Sequence, residues 1–245
     1  MKQNRKTAFI LAAGLGTRLK ELTANAPKAL VSINSMPLLE VLLKELIKLD
    51  FNHIVINIHH FGDQIIDFLN HYNGGAEIEI SDERPLLMDT GGAILQALPY
   101  FEQSEAVLVH NVDVLTNVDL KGFYDNFCKS DDAAWLLTQE RNSKRKLVFD
   151  THDNFLGRFN NETNDYDGNG ALPNDCKLLS FSGIHLFKPE YFKNFEVKPC
   201  YIFKLYQQIA VNHKVTSKLI HPDYWFDLGT QEQLKNAELW LSSRR

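Results

Sequence analysis

A chain of 245 residues, 44% of them hydrophobic, is long enough to bury a substantial core and of a size at which α/β folds often form one domain. Its net charge of −5 excludes a general polyanion-binding surface, so nucleic acid is not an expected partner and any cationic site for phosphates has to be local. The three cysteines, Cys128, Cys176 and Cys200, are odd in number, widely spaced and without a Cys-x-x-Cys pair, which excludes a disulfide framework and a cysteine-based zinc site.

Behind the basic stretch Met1–Lys6, the apolar run Ala8–Ala13 is too short for an export signal or a membrane span, so a cytoplasmic chain is expected. That run belongs to a first strand, Thr7–Ala12, and ends at glycine. Pro37 then sits at the start of a segment whose apolar residues Leu38, Leu39, Leu42, Leu43, Leu46 and Ile47 recur at helical spacing. A second strand over His53–Ile58, a helix over Asp63–Asn70, a third strand over Glu77–Ser81, a helix over Gly92–Leu98 and a fourth strand over Ala106–His110 continue the alternation. Such alternation predicts an α/β fold: a Rossmann-like, mixed, mainly parallel sheet with helices on both faces.

After residue 120 the regularity weakens. Leu147–Asp150 and Phe155–Arg158 read as an antiparallel hairpin, residues 160–174 as an exposed polar loop, and Leu178–Leu186 as a strand of the same sheet. The chain closes on a helix over Thr230–Leu241, with Thr230 as N-cap and Gln233 completing a capping box. The whole chain, 1–245, reads as one domain with a first half to about residue 120 and a second from about residue 121.

Chemistry concentrates at four places. Leu11-Ala12-Ala13-Gly14-Leu15-Gly16-Thr17-Arg18 follows a buried strand, where two glycines let backbone N–H groups approach phosphate oxygens and Arg18 adds a forked cation. Gly-x-Gly alone is equally readable as a structural turn. Asp113 ends the apolar run Val107–Val112, at the strand end where α/β sheets build ligand crevices, and Asp227 stands in Trp225-Phe226-Asp227-Leu228-Gly229-Thr230. Either aspartate alone is also readable as a turn former, and as hard oxygen donors both suit Mg²⁺. Asp89-Thr90-Gly91-Gly92 opens a helix, with close packing and backbone contact to a ligand both open as reasons for its glycines. Gly183 in Phe181-Ser182-Gly183-Ile184 is readable as a strand bulge. Lys144-Arg145-Lys146 reads as a solvated hairpin edge, and His59-His60 as a strand-end feature rather than a metal pair.

Extended through Leu22-Thr23 to Pro27-Lys28, the glycine stretch resembles the signature of sugar-1-phosphate nucleotidyltransferases. The Asp-Thr-Gly-Gly element, the Phe-Ser-Gly-Ile strand and the ending after Asp-x-Gly-Thr are similar to the short uridylyltransferases of the N-acetylmuramate 1-phosphate type. The resemblance implies the nucleotide-diphospho-sugar transferase fold and transfer of a nucleotidyl group, from UTP in the favoured case, to a sugar 1-phosphate. A guanylyltransferase for mannose 1-phosphate, a cytidylyltransferase for phosphocholine and an inactive nucleotide-sugar-binding regulator are the alternatives. It further implies phosphate contacts for Arg18 and Lys28 and nucleotide contacts for Ala12, Ala13, Gly14, Gly16, Thr17, Asp89 and Gly92. Asp113 and Asp227 would hold Mg²⁺, and Gly183 would meet the sugar. Glu21, Ala29 and Val112 depart from the pattern, and a β-branched Val112 is expected to narrow the nucleotide pocket or shift Asp113.

Overall fold

A computed structural model describes residues 5–243. Residues 1–4 of the basic N-terminal stretch lie outside the described residues. In chain order the regular elements are β1 (Thr7–Leu11), β2 (Ser32–Ile33), β3 (Met36–Pro37), α1 (Leu38–Lys48), β4 (His53–Ile58), α2 (Gly62–Asn70), β5 (Glu77–Asp82), α3 (Asp89–Ala97), β6 (Val107–Asn111), β7 (Val114–Thr116), α4 (Leu120–Cys128), β8 (Ala134–Gln139), β9 (Arg145–Phe149), β10 (Phe155–Asn160), β11 (Asp165–Gly168), β12 (Lys177–Phe187), α5 (Ile202–Ile209), β13 (Val215–Leu219), β14 (Trp225–Asp227) and α6 (Gln231–Ser242). Two compact units result: one takes the chain up to Leu87, His110–Asn117 and the residues from Pro222 onward, the other Met88–Val109 and Val118–His221.

In the first unit β1, β4 and β5 pair in parallel, with Thr7 opposite His53 and His53 opposite Glu77. All six residues of β4 are buried, as a run of β-branched residues in a parallel sheet requires. Helix α1 buries the expected Leu38, Leu39, Leu42, Leu43 and Leu46, while Ile47 at the end of the stripe is only half-buried. Asn34 and Ser35, both with positive φ, form the two-residue turn that lets β2 and β3 pair as a small hairpin. At the far end of the sequence, Tyr224 and Phe226 pack on Trp240 with ring centroids 4.7 and 5.6 Å away, which fastens β14 to α6. Thr230 caps α6 as expected, accepting from the Gln233 N–H; its hydroxyl also donates to the Gln233 side chain, in place of the return bond of a capping box.

The second unit is built around β12, which runs antiparallel to β9 through residues 177–179 and to β8 through 180–187. Strand β13 joins β8 in parallel, and β9–β10 is the expected hairpin. The polar stretch 160–174 is not loop throughout, because Asp165–Gly168 pairs antiparallel with β10 as β11. Backbone pairing along an edge needs no apolar alternation, so Asp-Tyr-Asp-Gly carries no strand signal of its own. A chain of aromatic contacts, Phe101 on Phe187, Phe187 on Phe192 and Phe192 on Tyr206, fills the core of this unit.

Candidate active site

The glycine loop leaves β1 in the first unit. Leu11 still belongs to the sheet, and its carbonyl accepts the Val112 N–H at 3.2 Å. Gly16 then adopts a left-handed conformation (φ 64°), and a Cβ there would stand 2.9 Å from Thr23 Cγ2 and 3.1 Å from Lys28 Cβ. Only glycine fits without strain. Thr23 donates its hydroxyl to the Gly16 carbonyl at 3.0 Å. The three separated pieces of the sequence signature, the glycine loop, Leu-Thr and Pro-Lys, therefore meet at one point.

Lys28 projects from a single 3₁₀ turn that follows Pro27 and bonds the Asp113 carboxylate through Nζ. With side chains only 11% and 15% exposed, this pair interacts largely out of water, where charge attraction is stronger than at the surface. Asp113 lies in the turn between β6 and β7, and its carbonyl accepts the Leu228 N–H at 2.8 Å. Strand β14 runs antiparallel to β7 with Asp227 opposite Val114. Asp227 in turn accepts the Gly229 N–H at 2.9 Å and faces the Arg18 guanidinium at 4.0 Å. Val112 is buried, with its N–H in the bond to Leu11. Burial pushes His110 down to about 4, so at neutral pH this neighbour adds no charge to the site.

Gly14, Leu15 and Gly16 bond no protein acceptor through their N–H groups among the described residues, and a Cβ on Gly14 would meet nothing within 4 Å. Ala12 and Ala13 differ. Both are buried, and their N–H groups go to the Asn57 side-chain oxygen at 2.6 and 3.2 Å, which takes them away from any phosphate. Asn57 carries a signal that sequence reading missed: a polar side chain near the end of a fully buried strand.

Among the described residues no three His, Cys, Asp or Glu side chains gather into a metal-holding group. The donor set at Asp113 and Asp227 is a pair of hard carboxylates, which suits a cation that takes its remaining oxygens from phosphates and water, as Mg²⁺ does. Thr17 is exposed at the start of the 3₁₀ turn that carries Arg18.

The remaining expected residues belong to the second unit. Asp89 begins α3 with φ 58° and accepts the Thr90 N–H at 2.6 Å. Helix α3 starts three residues earlier than expected, because segment 198–202 clamps its first turn. Cys200 donates to the Met88 carbonyl and accepts from Gly91 and Gly92, and Ile202 donates to the Thr90 hydroxyl. A Cβ on Gly92 would lie 2.5 Å from the Lys198 carbonyl, and one on Gly91 2.8 Å from that of Cys200. These backbone approaches account for both glycines of Asp-Thr-Gly-Gly by close packing. Gly183 is buried at φ 84°, where the β12–β8 register shifts between Phe181 and His185, so the strand does bulge there. Lys146 lines a cavity of about 690 Å³ together with Arg141, Asn142, Lys177 and Ser217. Burial, with the Arg141 charge beside it, pulls its amine below the usual lysine range.

No helix among the described residues is long and apolar enough to cross a membrane. The crystal structure of HddC from Yersinia pseudotuberculosis superposes with a TM-score of 0.75 at 22% identity, covering 96% of this chain and 99% of that one. That likeness shows the fold, the nucleotide-diphospho-sugar transferase type with its mixed, mostly parallel central sheet and helices. The chain is 32% identical over 241 residues to an N-acetylmuramate alpha-1-phosphate uridylyltransferase of Neisseria meningitidis serogroup B, covering 94% of this chain and 96% of that protein. It is 29% identical over 255 residues to the protein of the same name from Caulobacter vibrioides, covering 99% of each. Residues 8–172, which contain the glycine loop, Lys28 and Asp113, match the model of the MobA-like NTP transferase domain, and the chain belongs to that family of nucleotidyltransferases.

Proposed function

We propose that this chain transfers a nucleotidyl group from a nucleoside triphosphate to a sugar 1-phosphate, releasing pyrophosphate, with UTP as donor and N-acetylmuramate 1-phosphate as the first acceptor to try. The observation that carries the reading is the meeting of Lys28, Asp113, Asp227 and Arg18 beside a glycine loop with N–H groups open to a ligand. Binding a neutral molecule would not need this concentration of charge.

In the proposed reaction a phosphate oxygen of the sugar 1-phosphate attacks the α-phosphorus in line, and the bond from that phosphorus to the β-phosphate bridging oxygen breaks. The nucleophile is already anionic, so no covalent enzyme intermediate and no general base are required. The protein's contribution is then positioning and charge stabilisation. Arg18 and the N–H groups of residues 14–16 hold the triphosphate. Lys28, poised on Asp113, neutralises oxygens at the reacting phosphate. Asp113 and Asp227 would hold a divalent cation, Mg²⁺ in this proposal, which supplies further neutralisation of phosphate charge. Asp89 and Gly183 keep the nucleotide and sugar roles implied by the resemblance, as proposals resting on sequence.

The test is pyrophosphate release from the purified protein in a matrix of the four nucleoside triphosphates against a panel of sugar 1-phosphates, with and without Mg²⁺. Metal-dependent release with UTP and one of the sugar phosphates is expected. Release with GTP or CTP alone would move the donor assignment, and no release with any pair would remove the reading.

A further inference from the structure

Asn57 stands opposite Leu11 in the parallel β1–β4 ladder, at the last pair before β1 leaves the sheet. The residue is 3% exposed, and its side-chain oxygen accepts two successive backbone N–H groups, Ala12 at 2.6 Å and Ala13 at 3.2 Å. Two consecutive N–H groups converging on one acceptor are incompatible with an extended strand, in which they point to opposite sides. The amide therefore turns the chain out of the sheet just where the glycine loop starts.

The amide orientation matters, because a flipped Asn57 would present NH₂ to two N–H donors. Glu83 prevents this. It is 1% exposed, and its carboxylate accepts from Asn57 Nδ2 at 2.7 Å. Glu83 is itself fixed by its backbone, whose N–H donates to Ile58 at 2.8 Å and whose carbonyl meets His59 Nδ1 at 2.7 Å. A buried carboxylate is costly unless hydrogen-bonded, and at this position it selects one of the two amide orientations.

We infer that Asn57 and Glu83 are a positioning pair: the Glu83 carboxylate fixes the Asn57 amide, which fixes Ala12 and Ala13 and thereby aims the N–H groups of residues 14–16 at the triphosphate. The inference rests on the proposed role of that loop. Neither residue touches substrate; both act through the backbone that does.

The exchanged pair tests it. N57D keeps the acceptor for Ala12 and Ala13 but sets a second carboxylate against Glu83 and removes the donor between them. KM for the nucleoside triphosphate is expected to rise about tenfold or more, with kcat moving less. In the double variant N57D/E83Q the new amide donates to the new carboxylate, and KM is expected to return to within about threefold of the parent. An unchanged KM in N57D, or a double variant that is folded but no better than N57D, overturns the inference. Where N57D alone fails to fold, the double variant decides: near-parental KM supports the pair, and raised KM or failure to fold overturns it. Hydrogen exchange at the Ala12 and Ala13 amides gives a readout independent of turnover, with protection in the parent and fast exchange in N57A. Unprotected amides in the parent would refute the geometry, whereas protected amides in a parent that binds no nucleoside triphosphate would refute the proposed function of the loop.

Discussion

The carbonyl of Asp113 accepts the N–H of Leu228, and this bond joins two stretches of chain that are far apart in sequence. It continues the β7–β14 ladder, in which Asp227 stands opposite Val114, so the backbones of the two aspartates adjoin. If both hold the cation of the proposed reaction, neither substitutes for the other. D113N and D227N are each expected to lower kcat/KM for pyrophosphate release by about 100- to 1,000-fold, the usual effect of losing one charge-stabilising contact. Melting temperatures should shift more in D113N, which leaves Lys28 without its carboxylate in a mostly buried place. Retention of parental activity in either variant would remove that residue from the site.

Two glycines of one loop are expected to respond differently to alanine. Gly16 has positive φ and faces Thr23 and Lys28 at less than a normal Cβ contact distance, so G16A is expected to cost about 1–2 kcal/mol in urea unfolding and to displace Lys28. Gly14 faces open space, and G14A is expected to change stability by less than about 0.5 kcal/mol. Turnover should fall in both, because a methyl group on Gly14 stands where the proposal puts phosphate. A stable and fully active G14A would place the triphosphate elsewhere.

The local geometry of the candidate site was partly legible because it is written in local signals. Gly16 announces a backbone that only glycine takes, Asp113 follows an apolar strand, and Thr230 starts a helix with its own cap. What escaped is non-local. Asn57 is one polar letter in a strand, and its meaning depends on β1 lying beside it in a particular register. Strand β11 was invisible because its stabilising partner is the edge of β10, not its own side chains. At Gly91 and Gly92 the sequence left packing and ligand contact equally open, and the answer lay about a hundred residues away, in the segment around Cys200.

That answer has its own test. G92A would drive a methyl group into the Lys198 carbonyl, which stands 2.5 Å from the ideal Cβ position and is backbone, not a side chain that can swing aside. Overpacking of this kind costs about 1–3 kcal/mol. G92A is therefore expected to lower the unfolding midpoint in urea. If G92A instead leaves stability unchanged and raises KM for the nucleoside triphosphate, the glycine meets ligand and the clamp is not what it serves.

His185 is fully buried in the second unit, with Nδ1 2.8 Å from the Tyr206 hydroxyl, and burial pushes it down to about 3. An unfolded chain titrates histidine near 6.5. Between those values the unfolded state carries one more proton at this position than the folded state, so stability increases with pH across the window. The contribution is fully present above pH 6.5 and is lost progressively as pH falls toward 3. From pH 7.5 to pH 5.0 this group alone should remove about 2 kcal/mol of unfolding free energy. H185Q keeps an acceptor for Tyr206 and cannot titrate, so its loss over the same interval, measured by urea unfolding, should be smaller by about that amount. Equal losses in parent and variant would mean that His185 is protonated without unfolding, and that its hydrogen bond to Tyr206 does not hold it neutral.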